Sequence, residues 1–188
     1  MNEQVRIIAE QPDLKARFTA AEFLRMADAG AFDDMKVELI GGELYRMTPP
    51  MTKHARLQAA VGFALMTLLR EHSDIVTLGE IGIILNDDTV VGADAAVARI
   101  SSDDNRRLVP EDVLLVVEVA VTTVTKDSGI KRLAYAAAEI PEYWIVDGKR
   151  DVIHIHTEPN DGDYAIVRTV RFGEPFAVLD LPDTITID

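Results

Sequence analysis

Cysteine is absent from the 188-residue sequence. That removes disulfides, thiol nucleophiles and thiolate metal sites together, so any metal must be held by oxygen or imidazole, a donor set that favours Mg²⁺ or Mn²⁺. Basic residues are few: 19 Lys and Arg stand against 32 Asp and Glu, a formal net charge of −13. A broad nonspecific nucleic-acid surface needs clustered cations to neutralise phosphates, and this balance counts against one. It does not exclude phosphate chemistry at a metal site, where bound ions reverse the local sign. Long hydrophobic runs are missing too. No stretch approaches the roughly 20 apolar residues that a membrane helix needs, and the opening "MNEQVRIIAEQPDLKARF" has no signal-peptide core. The expectation is a cytoplasmic protein without membrane contact.

What is present is ordinary globular composition, 48% hydrophobic and 27% charged, in a length that suits one compact core. We expect a polar extension over residues 1–17 and a single domain over 18–188. Thr19 followed by Glu22 has the pattern of a capping box and predicts a short helix. "VELIGGELYRM" reads as a hairpin turning at Gly41-Gly42, which puts Glu38, Ile40, Glu43 and Tyr45 on one face. From His54 to Glu71, Leu57, Val61, Leu65, Leu68 and Leu69 recur at helical spacing. "DIVTLGEIGIIL" and "VVGADAAVARI" read as strands joined at Asn86-Asp87-Asp88, and residues 113–121 as a more deeply buried strand. "KDSGIKRLAYAAAEI" reads as a helix capped by Asp127 and ended before Pro141. "EYWIVDGKRDVIHIH" and "YAIVRTVRF" alternate like strands, with Asp147-Gly148 as a hairpin turn. Strands mixed with two substantial helices imply an α/β sandwich around a mixed sheet.

Three residues sit badly in these local patterns. Glu118 is the one acid in the run "VLLVVEVAV", and an ionised carboxylate buried without a partner usually neutralises, so it needs a cation or an edge of solvent. Asp94 lies mid-strand in "GADAAVA" among small residues that cannot pair with its charge. Two acids on neighbouring strands can share one divalent cation, since Mg²⁺ is satisfied by one or two carboxylates plus water. Lys131 falls in the first turns of its helix, where the macrodipole disfavours a cation by a few tenths of a kcal/mol. A lysine beside a bound ion supplies electrostatic stabilisation to phosphate chemistry.

Glu38 in "VELIGGEL", Asp94 in "GAD", Glu118 in "VVEV" and the block "KDSGIKRLAYAAAEIPEYWIVD" together resemble the Uma family of restriction endonucleases, within the PD-(D/E)XK nuclease superfamily. The resemblance runs from about Phe18 to about His156. Its most specific piece spans 127–147, with Asp127, Gly129, Lys131, Tyr135, Pro141-Glu142-Tyr143-Trp144 and Asp147. "TPPMTKHARLQ" is similar to the family's Pro-rich segment before a His and a helix. The resemblance implies a restriction-endonuclease-like mixed β-sheet flanked by helices, with an N-terminal hairpin.

The same resemblance implies Asp94 and Glu118 as ligands of Mg²⁺ or Mn²⁺, Glu38 as the upstream acid, and hydrolysis of DNA phosphodiesters by metal-activated water, in a homodimer. The position two after Glu118 is Ala120, so the lysine of the motif must come from elsewhere. Lys131 is the candidate, with Lys126 as its substitute. Glu43 shares the hairpin face with Glu38 and is the competing upstream acid. Ala93 stands where the family has Pro, and "VTTV" follows the strand of Glu118. His54 reads as a cap or packing residue, Tyr143 and Trp144 as core aromatics, and His154 and His156 as structural. Residues 100–112, with Arg106 and Arg107, form the loop expected to touch substrate or a partner. The alternative function is a catalytically inactive binding or regulatory module on the same fold.

Overall fold

The computed structural model describes residues 15–99, 105–121 and 126–188, with 126–128 as backbone only. Helix α1, Ala20–Asp28, opens with the expected capping box: Glu22 N donates to Thr19 Oγ1 at 3.2 Å, and Thr19 N donates to Glu22 Oε2 at 2.9 Å. It buries Phe23, whose ring lies 5.5 Å from that of Phe32. Strands β1, Val37–Ile40, and β2, Glu43–Arg46, turn at Gly41 and Gly42 with φ of 57° and 78°, angles that glycine adopts without steric cost. Their register sets Glu38 opposite Tyr45.

Helix α2 runs from Thr52 to Leu69, two residues earlier than the periodicity starts, and buries Leu57, Val61, Leu65 and Leu69 at four-residue spacing. The long strands β3, Ile75–Asn86, and β4, Thr89–Arg99, follow, then β5, Val113–Ala120. Helix α3, Lys126–Ala137, begins before Asp127, which lies in its first turn and not at its cap. Strands β6, Glu142–Asp147, β7, Val152–Asn160, and β8, Asp163–Arg171, complete the main sheet. Short strands β9, Phe176–Ala177, and β10, Thr184–Ile185, pair separately.

The sheet order is β2-β1-β4-β5-β6-β7-β8, with β3 along β4. Among the named strands only β5 and β6 pair in parallel, and α3 is the crossover such a pair needs. Alternation along the central strands divides the core. Val117, Trp144 and Ile155 face α2, whereas Val116, Tyr143 and Ile145 face Tyr135 and Ala136 of α3. This is the mixed α/β architecture with an N-terminal hairpin that the sequence predicts. Among the described residues no helix is long and apolar enough to cross a membrane.

One turn differs. The β6–β7 ladder closes at Asp147↔Val152, so residues 148–151 form the loop and Asp147-Gly148 is not a two-residue hairpin. Gly148 serves packing instead: a Cβ there would lie 2.5 Å from Leu57 Cδ1. The two-residue Asp-Gly turn is Asp161-Gly162, between the paired Asn160 and Asp163.

Candidate active site

Strand β3 accompanies β4 along its length, so β1 and β5 share the opposite edge. β1 meets β4 at Leu39↔Val90, and β5 pairs with it from Ala95↔Val117 to Ala98↔Val113. Between them, among the described residues, β4 has no strand partner on that edge, and its backbone groups need other partners. Side chains supply them. Gly92 N donates to Glu38 Oε1 at 2.7 Å, Lys131 Nζ donates to Gly92 O at 3.0 Å, and Gln58 Nε2 donates to Asp94 O at 2.7 Å. The strand runs on through this point, but its alternation changes. Val91 and Ala93 face α3 before Asp94, and Ala96 and Ala98 face it afterwards; Glu80, across on β3, has φ of 42°, unusual for a non-glycine residue.

Lys131 is 6% exposed, and its ammonium joins two acids: Glu38 Oε1 at 2.6 Å and Glu118 Oε1 at 3.1 Å. Tyr135, one helical turn on, donates its hydroxyl to the same Glu118 oxygen at 2.8 Å. Burial pushes the Glu118 carboxyl up to about 7; Lys131 opposes that shift, while Asp94 and Glu38 add to it. Burial alone would lower the Lys131 pKa, but Glu118 and Glu38 outweigh it and hold the ammonium well above the usual lysine value. The macrodipole argument from sequence treats Lys131 as if it faced solvent, and these ion pairs overrule it.

Asp94 is gripped from two sides. Its Oδ2 accepts from Val119 N at 2.7 Å and lies 3.1 Å from His54 Nε2. His54 and Gln58 stand one turn apart on α2, so a single helix face holds both the carboxylate and the carbonyl of Asp94. The reading of His54 as a cap is therefore corrected. Met51 precedes the first turn and makes no side-chain cap bond, and His54 reaches the acid cluster. Gln58 escaped the sequence reading altogether; its four-residue spacing from His54 was the available signal.

Residues 20–188 match the Uma2 family, described as "Putative restriction endonuclease". The chain belongs to the Uma2 family. A solved structure of similar fold is that of a "putative nuclease belonging to DUF820" from Anabaena variabilis. It is 16% identical over 88% of this chain and 89% of that one, with a TM-score of 0.66. Curated proteins yield no match. The structural likeness shows a shared fold, and the family's description names a "Putative restriction endonuclease".

In this Uma2 chain Glu38, Asp94, Glu118 and Lys131 line one pocket, together with His54. Glu43 lies apart from that lining: its Oε1 is 3.6 Å from both Lys15 and Arg17, and Tyr45 donates to its Oε2 at 3.4 Å. Arg106 makes a two-pronged contact with Asp112 at 2.6 and 2.8 Å, and Arg107 is 3.7 Å from Asp28. Residues 100–104 and the side chain of Lys126 lie outside the described residues. Tyr143 and Trp144 are core residues, and His156 is buried between Tyr143 and Tyr164.

The donor set can be tested against the divalent ion that the family implies. Among the described residues no cluster of three or more His, Asp or Glu forms a ready metal cage. Asp94 and Glu118 nevertheless follow directly on the pair Ala95↔Val117, and their hydrogen bonds fall on Oδ2 and Oε1. Among the described residues no such bond occupies Asp94 Oδ1 or Glu118 Oε2. Two carboxylate oxygens with water completing the shell suit Mg²⁺ or Mn²⁺, so the residues fit the ion.

Proposed function

We propose that this protein is a divalent-cation-dependent DNA endonuclease that hydrolyses phosphodiester bonds. Asp94 and Glu118 would hold Mg²⁺ or Mn²⁺, Glu38 assists them, and Lys131 is the electrostatic residue. A bound ion supplies Lewis-acid charge to the phosphate and lowers the pKa of water. The observation that carries the reading is the ammonium of Lys131, 2.6 Å from Glu38 and 3.1 Å from Glu118. In this reading Lys131 of α3 takes the place of the lysine missing two residues after Glu118, where Ala120 stands. Held between two acids, the ammonium is preorganised to orient water and to stabilise charge developing on the phosphate. His54 and Val119 N keep the Asp94 carboxylate in one orientation, while Gln58 holds the Asp94 backbone carbonyl.

The test is cleavage of plasmid and single-stranded DNA with Mg²⁺ or Mn²⁺, comparing wild type with Asp94→Asn and Lys131→Gln. Cutting by wild type that both variants lose supports the reading; equal cutting by all three refutes the residue roles. One observation favours a second reading, a catalytically inactive binding or regulatory module. Lys131 already pairs with both Glu38 and Glu118, so the cluster supplies part of its own countercharge without an ion.

A further inference from the structure

The acids, Lys131 and His54 occupy only part of a pocket of about 830 Å³. Much of the remaining lining is apolar and comes from one continuous segment, Tyr45, Met47, Pro49, Pro50 and Met51, joined by Ile130 of α3. The hairpin register accounts for the aromatic: Tyr45 is the cross-strand partner of Glu38, so ring and carboxylate share a face. Met51 is 59% exposed and Ile130 36%, large apolar side chains left open to solvent at the pocket.

Cations there are few. Lys131 is taken up by Glu38, Glu118 and the Gly92 carbonyl, and Lys36 is 2.9 Å from Glu80. Arg46 lines the pocket without a carboxylate partner among the described residues. A protein that grips duplex DNA through its backbone does so with Lys and Arg that neutralise phosphates. A chain of net charge −13 is poorly equipped for that grip. Stacking of a base on an aromatic side chain contributes about 1–3 kcal/mol, and that contribution does not itself draw on positive charge. The pocket volume lies in the range of about 300–1,000 Å³ typical of small-ligand sites, and a base can enter such a site only when it is unpaired or flipped out of its stack.

We propose that the wall from Tyr45 to Met51 binds an unpaired base beside the scissile phosphodiester, so that the substrate is single-stranded DNA and not continuous duplex. This deepens the nuclease reading and rests on it; the juxtaposition of an apolar, aromatic-bearing wall with Glu38 and Glu118 in one pocket carries it.

The experiment uses the full chain, a fluorescently labelled single strand and the same sequence as a blunt duplex. Binding is followed by anisotropy in chelator, and cleavage with Mn²⁺. The single strand is expected to bind and be cut better by roughly 5–150-fold, the equivalent of one stacked base. Tyr45→Ala should lose that preference, Tyr45→Phe should keep it, and Met51→Ala should lose part of it. The salt dependence of single-strand binding should be the same for Tyr45→Ala as for wild type, because stacking releases no counterions. Equal or better binding of duplex, no binding of either form, or a Tyr45→Ala variant with the wild-type preference would overturn the proposal. Single-strand binding that depends on Tyr45 without any cleavage would keep the wall and refute the nuclease reading. Cleavage of duplex alone would keep the nuclease reading and refute the wall.

Discussion

Replacing Lys131 by Met removes the ammonium and keeps most of the side-chain volume. In the folded chain that ammonium has three partners, Glu38 at 2.6 Å, Gly92 O at 3.0 Å and Glu118 at 3.1 Å, and its side chain is 8% exposed. Deleting one partner of a buried ionic cluster costs about 3–5 kcal/mol, because the remaining charges stay buried without compensation. Relief of the unfavourable macrodipole returns at most about 0.3–1 kcal/mol. Lys131→Met should therefore lose about 3 kcal/mol in chelator at pH 7.5, a fall in Tm of roughly 6–12 °C for a chain of this length. Urea denaturation measures it, with an unchanged m-value required for a two-state comparison. Adding Glu118→Gln should recover more than about 1 kcal/mol, since the pair is coupled. A Lys131→Met variant within about 0.5 kcal/mol of wild type, as for an ordinary surface lysine, would refute the buried cluster.

The pH response has a definite sign. Glu118 titrates at about 7 in the folded chain against an ordinary 4.5, so between those values the folded state binds more protons than the unfolded state and stability falls as pH rises. Relative to Glu118→Gln, wild type in chelator should lose about 3 kcal/mol from below pH 4.5 to above pH 7; a flat difference would contradict the raised carboxyl. Asp94→Asn and Glu118→Gln should each abolish calorimetric Mn²⁺ binding, and wild-type Tm should rise with Mg²⁺ by linkage; wild-type Mn²⁺ affinity in both variants would remove them as ligands. Gly148→Ala should destabilise by about 1–3 kcal/mol, through overpacking against Leu57, and a neutral result would show that α2 shifts freely there.

The legible parts of this fold are those specified by neighbouring residues. Thr19 with Glu22 marks α1, Gly41-Gly42 turns the first hairpin, and the spacing of Leu57, Val61 and Leu65 marks the buried face of α2. Local signals misled where a close tertiary approach decides: Asp147-Gly148 has the composition of a hairpin turn, yet Gly148 is small because Leu57 packs on it. The site divides in the same way. Asp94 and Glu118 stand out as acids in apolar strands, so their oddity can be read directly. His54 and Gln58 look like ordinary helix residues because their partner, Asp94, is some forty positions away in sequence. The burial of Lys131 depends on the gap between β1 and β5, which no local pattern records.

The most direct test of the account is the rate of DNA cleavage by Lys131→Gln, measured beside its Mn²⁺ affinity. A lysine that stabilises the transition state predicts cleavage slowed by orders of magnitude with Mn²⁺ binding retained. Cleavage at the wild-type rate, or no cleavage by wild type itself on single-stranded or duplex DNA with Mg²⁺ or Mn²⁺, would contradict it.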